Sequence, residues 1–250
     1  MALSISQTAA LQKILKPGMR IASMGYPDII APHDVIEAWL NHDLVSLDYR
    51  SDSEEICRRH GLRNVKIPDA ESLFKCLKCH LDVYDIVQER GCEIEIDLNY
   101  PVPMMHWTGR HRTYDVVLDV GTLEHCFNIA QAVLNMALLV KKGGYIIHEN
   151  PFLMGNHGFY SLNPTFYHDF YEPNGFKLIK CVLASKDGRA AEIPFTDRFK
   201  YGGAECNVFA MAQRTEMRTF FYPVQTKYAK LIPAAVDRAK SDADLRAIGA

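Results

Sequence analysis

The stretch "YDVVLDVGTLEHCFNIAQAVLNMALLVKKGGYIIHENP", residues 114–151, decides the fold. It opens on a short apolar run, "YDVVLDV", of strand length. Helically spaced apolar residues follow from Gly121, and the lysines and glycines of "KKGG" give a C-terminal stop signal. "GYIIHENP" then reads as the next strand, stopped by Pro151. A strand, a helix and a second strand in this order imply a parallel sheet with crossover helices.

Working outward, "LDVYDI" (81–86) and "CEIEIDLN" (92–99) read as strands that each end in an acid. "MRIAS" (19–23) is a short buried strand, and "IASMGYPDII" runs on from it into a loop whose one glycine is Gly25. Pro27 and Pro32 hold residues 26–31 extended, since a residue before proline avoids the helical region. A helix can begin near Pro32 and continue through "HDVIEAWL". "SDSEEICRRHG" reads as a helix ended by Gly61, while "DLVSLDY" (43–49) is a strand or a loop. Downstream, "PTFYHDFYEPNGF" is a short helix ending near Pro173. "FKLIKCVLA" (176–184) and "AECNVFAMAQR" (204–214) are separated by a loop of about twenty residues without a helix, so a hairpin with one antiparallel strand is expected.

The 250 residues suffice for one large α/β domain, and nearly half of them are apolar, enough for a packed core. We read residues 1–222 as a single domain with helical additions within 1–80, and 223–250 as a helical extension suited to a homodimer interface. A net charge of −2 advertises no basic face and argues against nucleic acid as partner. The N-terminus lacks a basic n-region and an unbroken apolar run, and no stretch reaches membrane-span length, so a cytoplasmic protein is expected. The seven irregularly spaced cysteines suit reduced thiols. "CLKCH" (76–80) matches a haem-attachment pattern. Leu73, Phe74 and Leu77 nevertheless share a helical face there, and Asp69 can cap it, so an ordinary helix is expected.

Three acids, Asp85, Asp97 and Asp119, stand at or near the ends of successive strands. In open sheets ligands sit at such carboxyl ends, and a carboxylate there can accept from ribose hydroxyls. Each could equally cap the next helix or turn. Glu124, His125 and His157 form a second set. Histidine suits proton abstraction near neutral pH, and Glu124 could instead serve only the helix N-terminus.

The segment 114–151, with "LEH" after its strand and "KKGG" before the next, resembles the central part of class I S-adenosylmethionine-dependent methyltransferases of small-molecule type. "RGCEIEIDLNYPVP" and "FYHDFYEPNGFKLIKCVLAS" are similar to neighbouring parts of that group. The resemblance covers about residues 81–214. It implies a Rossmann-like, seven-stranded, mostly parallel sheet with an antiparallel last strand and helices on both faces. It implies S-adenosyl-L-methionine as cofactor, held by Gly25 and Tyr26 after strand one, Asp85, Asp97 with Leu98, and Asp119 with Gly121. Asp28 is available for the donor's ammonium. The group's glycine-rich loop is "MGYPD" here, and about fifty residues lie between it and Asp85, so "NVKIPDAES" (64–72) is a rival for the first strand. A sulfonium donor carries no phosphate, so a single glycine can suffice.

Related methyltransferases acting on small RNAs or quinone precursors place a Glu-x-x-Glu-His metal site after strand four. Glu124 and His125 match it, His157 can stand for a later histidine, and Gly121 replaces the first glutamate. The expected activity is methyl transfer to an oxygen or nitrogen of a small molecule, such as a sugar or natural-product intermediate, with Glu124, His125 and His157 as catalytic residues. The alternatives are a non-catalytic binding or assembly module and a metal-dependent RNA 2′-O-methyltransferase. A nicotinamide enzyme is disfavoured because no Gly-x-Gly-x-x-Gly turn is present. Phe152, Phe159, Tyr160, Phe166, Tyr167, Phe170 and Tyr171 are divided between core and an acceptor pocket.

Overall fold

A computed structural model describes residues 2–40, 46–102, 113–185, 189–195, 197–229 and 231. The chain opens with β1 (Ala2–Leu3), α1 (Ile5–Ile14), β2 (Arg20–Met24) and β3 (Asp28–Ile29). Three helices follow: α2 (His33–Trp39), α3 (Ser53–His60) and α4 (Ala70–Cys76). Next come β4 (His80–Asp85), β5 (Ile94–Glu95), β6 (Tyr114–Asp119), a 3-10 turn at Leu123–His125, and α5 (Ile129–Leu139). The remainder is β7 (Val140–Pro151), α6 (Pro164–Tyr171), β8 (Phe176–Ala184), β9 (Ala190–Glu192), β10 (Asn207–Arg214) and α7 (Thr226–Ala229). Most of the expected C-terminal extension lies outside the described residues. No helix among the described residues is long and apolar enough to cross a membrane.

The main sheet has the order β5-β4-β2-β6-β7-β10-β8-β9. β2 pairs in parallel with both β4 and β6, and β7 lies parallel to β6. β10 runs antiparallel between β7 and β8. This is the expected α/β sheet with its late strands antiparallel. It has eight strands rather than seven, because the edge strand β9 adds to β8. The chain moves outward from β2 through β4 to β5, then returns to β6 on the other side. The order therefore reverses between β2 and β6, where Met24 stands opposite Asp119. A ligand crevice belongs at such a point.

Residues 20–24 are thus the strand beside the order reversal, and "NVKIPDAES" is not a strand. It contributes one isolated bridge, Pro68 to Tyr49, and then Asp69 caps α4 by accepting from the Ser72 N–H at 2.9 Å. The long separation before Asp85 is filled by α2, α3 and α4. Seven free cysteines are present, and Cys79 turns its thiol to the Lys16 carbonyl at 3.4 Å, so "CLKCH" is helix and turn.

The sheet is covered on both faces, as parallel strands require. Ile21, Val83, Val116, Leu118 and Ile147 pack with Leu11, Ile36 and Phe74 of α1, α2 and α4. Val117, Ile146 and Ala210 pack on the other face with Val133, Met136, Tyr167 and Phe170 of α5 and α6. "KKGG" does not close α5. The helix stops at Leu139, and the buried Arg214 of β10 donates to the Ala137 and Val140 carbonyls at 3.1 and 2.8 Å. Lys141 to Gly144 already belong to β7. At Gly144 a Cβ would lie 2.9 Å from the Tyr114 and Asp115 carbonyls, so glycine lets β7 approach β6 at its register shift. "CEIEIDLN" forms only the two-residue β5, with Asp97 and Leu98 in the turn beyond it.

Candidate active site

The end of β6 is built around Asp119, which has no exposed surface. Its Oδ1 accepts from the N–H groups of Thr122 at 2.9 Å and Leu123 at 3.2 Å, forming the turn that places Gly121 at φ +91°. Its Oδ2 accepts from Asn150 Nδ2 at 2.8 Å and from His148 Nδ1 at 2.7 Å. The Tyr171 hydroxyl meets His148 Nε2 at 2.6 Å. Burial alone would push the Asp119 carboxyl up, but His148 and the N–H donors of Thr122 and Asn150 outweigh it and hold it below the usual range. The resemblance assigns Asp119 to the cofactor, but both of its carboxylate oxygens face inward and are taken by protein donors. Asp119 is a positioning group.

Asn150 passes the arrangement on. The same amide group donates to Glu124 Oε2 at 2.9 Å, and its oxygen accepts from the Tyr167 hydroxyl at 2.6 Å. Glu124 is 1% exposed, and its Oε1 faces His157 Nε2 at 3.5 Å and His125 Nε2 at 4.0 Å. Burial, followed by the nearby Asp119 charge, pushes the Glu124 carboxyl up to about 7. Burial and the neighbouring His157 lower the pKa of His125. One ligand atom from each of Glu124, His125 and His157 lies within 4.8 Å of the others. The structure thus brings together the three residues chosen from sequence, in a donor set of one carboxylate and two imidazoles that suits a divalent transition metal.

His157 reaches Glu124 because its loop lies flat on the 3-10 turn. Phe159 N–H donates to the Glu124 carbonyl at 2.9 Å. A Cβ on Gly158 would stand 2.8 Å from that same carbonyl. Gly158→Ala is expected to lift the loop and part His157 from Glu124. Its thermal unfolding should shift by only a few degrees, while divalent-cation binding, read by calorimetry, should weaken about tenfold or more.

The loop after β2 is closed by the protein itself. Gly25, at φ +84°, donates its N–H to the Tyr84 carbonyl at 2.6 Å, and the Thr122 hydroxyl donates to the Met24 carbonyl at 2.6 Å. The Tyr26 hydroxyl donates to Asp69 at 2.6 Å, and the Arg90 and Arg50 guanidiniums lie over its ring at 4.3 and 5.3 Å. Asp28, 3% exposed, faces His60 at 3.2 Å, Arg59 at 3.5 Å and Arg90 at 4.0 Å, so it already has cationic company where a donor's ammonium was expected. Asp85, half-buried, accepts from the N–H groups of Ile86 and Val87 at 2.7 and 3.5 Å. Asp97 accepts twice from Asn99, and Leu98 is buried.

A cavity of about 1000 Å³ opens beside this turn at the carboxyl ends of the strands. Gly121, Glu124, His125 and His157 line it, with Glu149, Asn207 and a basic stretch holding Arg59, Arg63 and Lys66. Gly25, Tyr26, Asp28, Asp85, Asp97, Leu98 and Asp119 do not. Sequence reading missed Asn150 and His148, whose inward positions in "HENP" only strand pairing reveals. It also missed Glu149, a half-buried acid whose carboxyl is raised by desolvation and which accepts from Ser4 and Asn207. The aromatic set divides. Tyr167 and Tyr171 are core, whereas Phe152, Tyr160, Phe166 and Phe170 help line a second cavity of about 670 Å³.

No family model matches the chain, and neither does any curated protein. Several solved structures align with it. A SAM-dependent methyltransferase from Aquifex aeolicus is 12% identical over 84% of this chain and 91% of its own, with a TM-score of 0.41. The 1,6-didemethyltoxoflavin-N1-methyltransferase of Burkholderia thailandensis, bound to S-adenosylhomocysteine, is 10% identical over 84% of this chain and 76% of its own, also at 0.41. A 16S rRNA (adenine(1408)-N(1))-methyltransferase from Catenulisporales acidiphilia is 10% identical over 87% of this chain and 96% of its own, at 0.39.

Proposed function

We propose that this chain transfers the methyl group of S-adenosylmethionine to an oxygen or nitrogen of a small molecule. The observation that carries the reading is the Glu124–His125–His157 cluster, opening onto a large cavity beside the strand-order reversal. The test of fit for the donor is the end of β6. There Gly121 lines the cavity at φ +91°, and a Cβ would come within 3.3 Å of Glu124 Oε1, so glycine keeps the turn and leaves the Glu124 carboxylate room beside the space offered to the donor. Asp85, at the end of the next strand outward from β2, lies outside this cavity's lining, so it would serve as the carboxylate for the donor's ribose hydroxyls with the donor extending from the cavity across the loop after β2.

The donor supplies a methyl already activated by its sulfonium, so the chain must chiefly align the reactants and remove a proton. His125 and His157, both about half exposed, face the cavity as bases for the acceptor's O–H or N–H. Glu124 orients them across its Oε1 and is itself held by Asn150. With a divalent cation present, Glu124, His125 and His157 would instead be its ligands, and the cation in place of the histidine bases would lower the pKa of an acceptor hydroxyl. Calorimetric titration with S-adenosylmethionine, followed by labelled-methyl transfer with and without divalent cation, tests the reading. Micromolar donor binding is expected. Absent binding, with no transfer to any acceptor, would leave a non-catalytic module. The three-ligand set favours one second reading, a metal-dependent RNA 2′-O-methyltransferase, which a methylation assay on short RNA checks.

A further inference from the structure

We infer that the cavity wall built by α3 and the segment after it binds a phosphate ester on the acceptor. This rests on the methyl-transfer reading and names its substrate class. α3 ends at His60, where Gly61 at φ +66° turns the chain back along the cavity. The helix is fixed over the loop after β2 because buried Asp28 holds Arg59 and His60. The segment beyond is tied down at its far end, where Ile67 N–H donates to Ser53 Oγ at 3.0 Å and the Ile67 carbonyl accepts from Arg50 N–H at 2.8 Å.

Arg63 and Lys66 therefore stand on an anchored backbone, exposed and lining the cavity, with the Lys66 ammonium over the Tyr49 ring at 5.7 Å. Neither pairs with a carboxylate among the described residues. Asp28 offsets the charge of Arg59, which leaves two positive charges on this wall. A phosphate monoester carries about −1.5 to −2 at neutral pH, and a guanidinium fork matches its oxygens. The cavity's carboxylates, Glu124, Glu149 and Glu205, belong to the β6, β7 and β10 side, and β6 separates β2 from β7. An acceptor held by its phosphate on the α3 wall would point its far end at the Glu124 cluster.

The full chain titrated by calorimetry with ribose 5-phosphate, with ribose and with a short single-stranded RNA tests this without any methyl donor. Ribose 5-phosphate is expected to bind about tenfold or more tighter than ribose. The exposed-site double variant Arg63→Ala, Lys66→Ala is expected to lose that difference while keeping its melting temperature. It should also keep S-adenosylmethionine binding, so failure of the phosphate site and failure of the donor site are read separately. Tighter binding of RNA, steeply salt-dependent and lost in the same variant, would support the phosphate wall and assign it to a polynucleotide backbone. Equal binding of the two sugars, or no effect of the double variant, overturns the inference.

Discussion

Glu124→Gln is expected to abolish methyl transfer and cation binding, yet to make the protein more stable above pH 7. The carboxyl stands at about 7 in the fold against an ordinary 4.5, because it is buried and faces the Asp119 charge. As pH rises through that window the unfolded chain ionises first. Its folded counterpart holds the proton longer, so ionisation of this group progressively favours unfolding. The rise corresponds to on the order of 3 kcal/mol, present in full above pH 7 and absent below about pH 4.5. Glutamine keeps the acceptor for Asn150 and removes the charge. Denaturant unfolding at pH 5 and pH 8 should show little difference between variant and wild type at the lower value and a clear gain at the higher. Equal stability at pH 8 would mean that the fold already compensates the Glu124 charge. A saturating divalent cation should raise wild-type stability by about 2.7 kcal/mol at a hundredfold excess over Kd, and the variant's not at all.

Asp119→Ala is expected to be the most damaging single change near the site, at about 3–5 kcal/mol. It leaves His148 Nδ1 and Asn150 Nδ2 without their shared acceptor, and the Thr122 and Leu123 N–H groups without their cap. The sign of the pH dependence is opposite to that of Glu124. The Asp119 carboxyl is depressed in the fold, so its stabilising contribution is present above its ordinary 3.8 and lost as pH falls through the folded value. Acid titration followed by circular dichroism should show wild type unfolding over that range. Asp119→Asn should start less stable and respond less to acid. Retention of wild-type stability by Asp119→Ala would contradict the role given to this carboxylate.

The β6–α5–β7 unit was legible because its period switches from strand to helix and back within residues 114–151. The middles of both flanking strands, residues 116–118 and 146–147, are buried, which leaves short apolar runs. The end of α5 was not legible, because its carbonyls are met by Arg214, distant in sequence. The meaning of the strand-end acids was only half legible. Pattern places an aspartate at a strand end but does not say whether it turns inward, as Asp119 does, or caps its own loop, as Asp85 does. Glu124 and His125 were readable as neighbours on a turn, and Gly158 is what brings His157 to them. The α3 wall was invisible, because "CRRHGLRNVK" looks like any solvated helix end until Asp28 fixes its direction.

A crystal structure of the full chain soaked with S-adenosylmethionine tests the central claim most directly. The expected result is a donor at the carboxyl ends of β2, β4 and β6, with its ribose on Asp85 and its methyl facing Glu124, His125 and His157 beyond Gly121. A donor bound elsewhere, or a methyl turned away from that cluster, would contradict it.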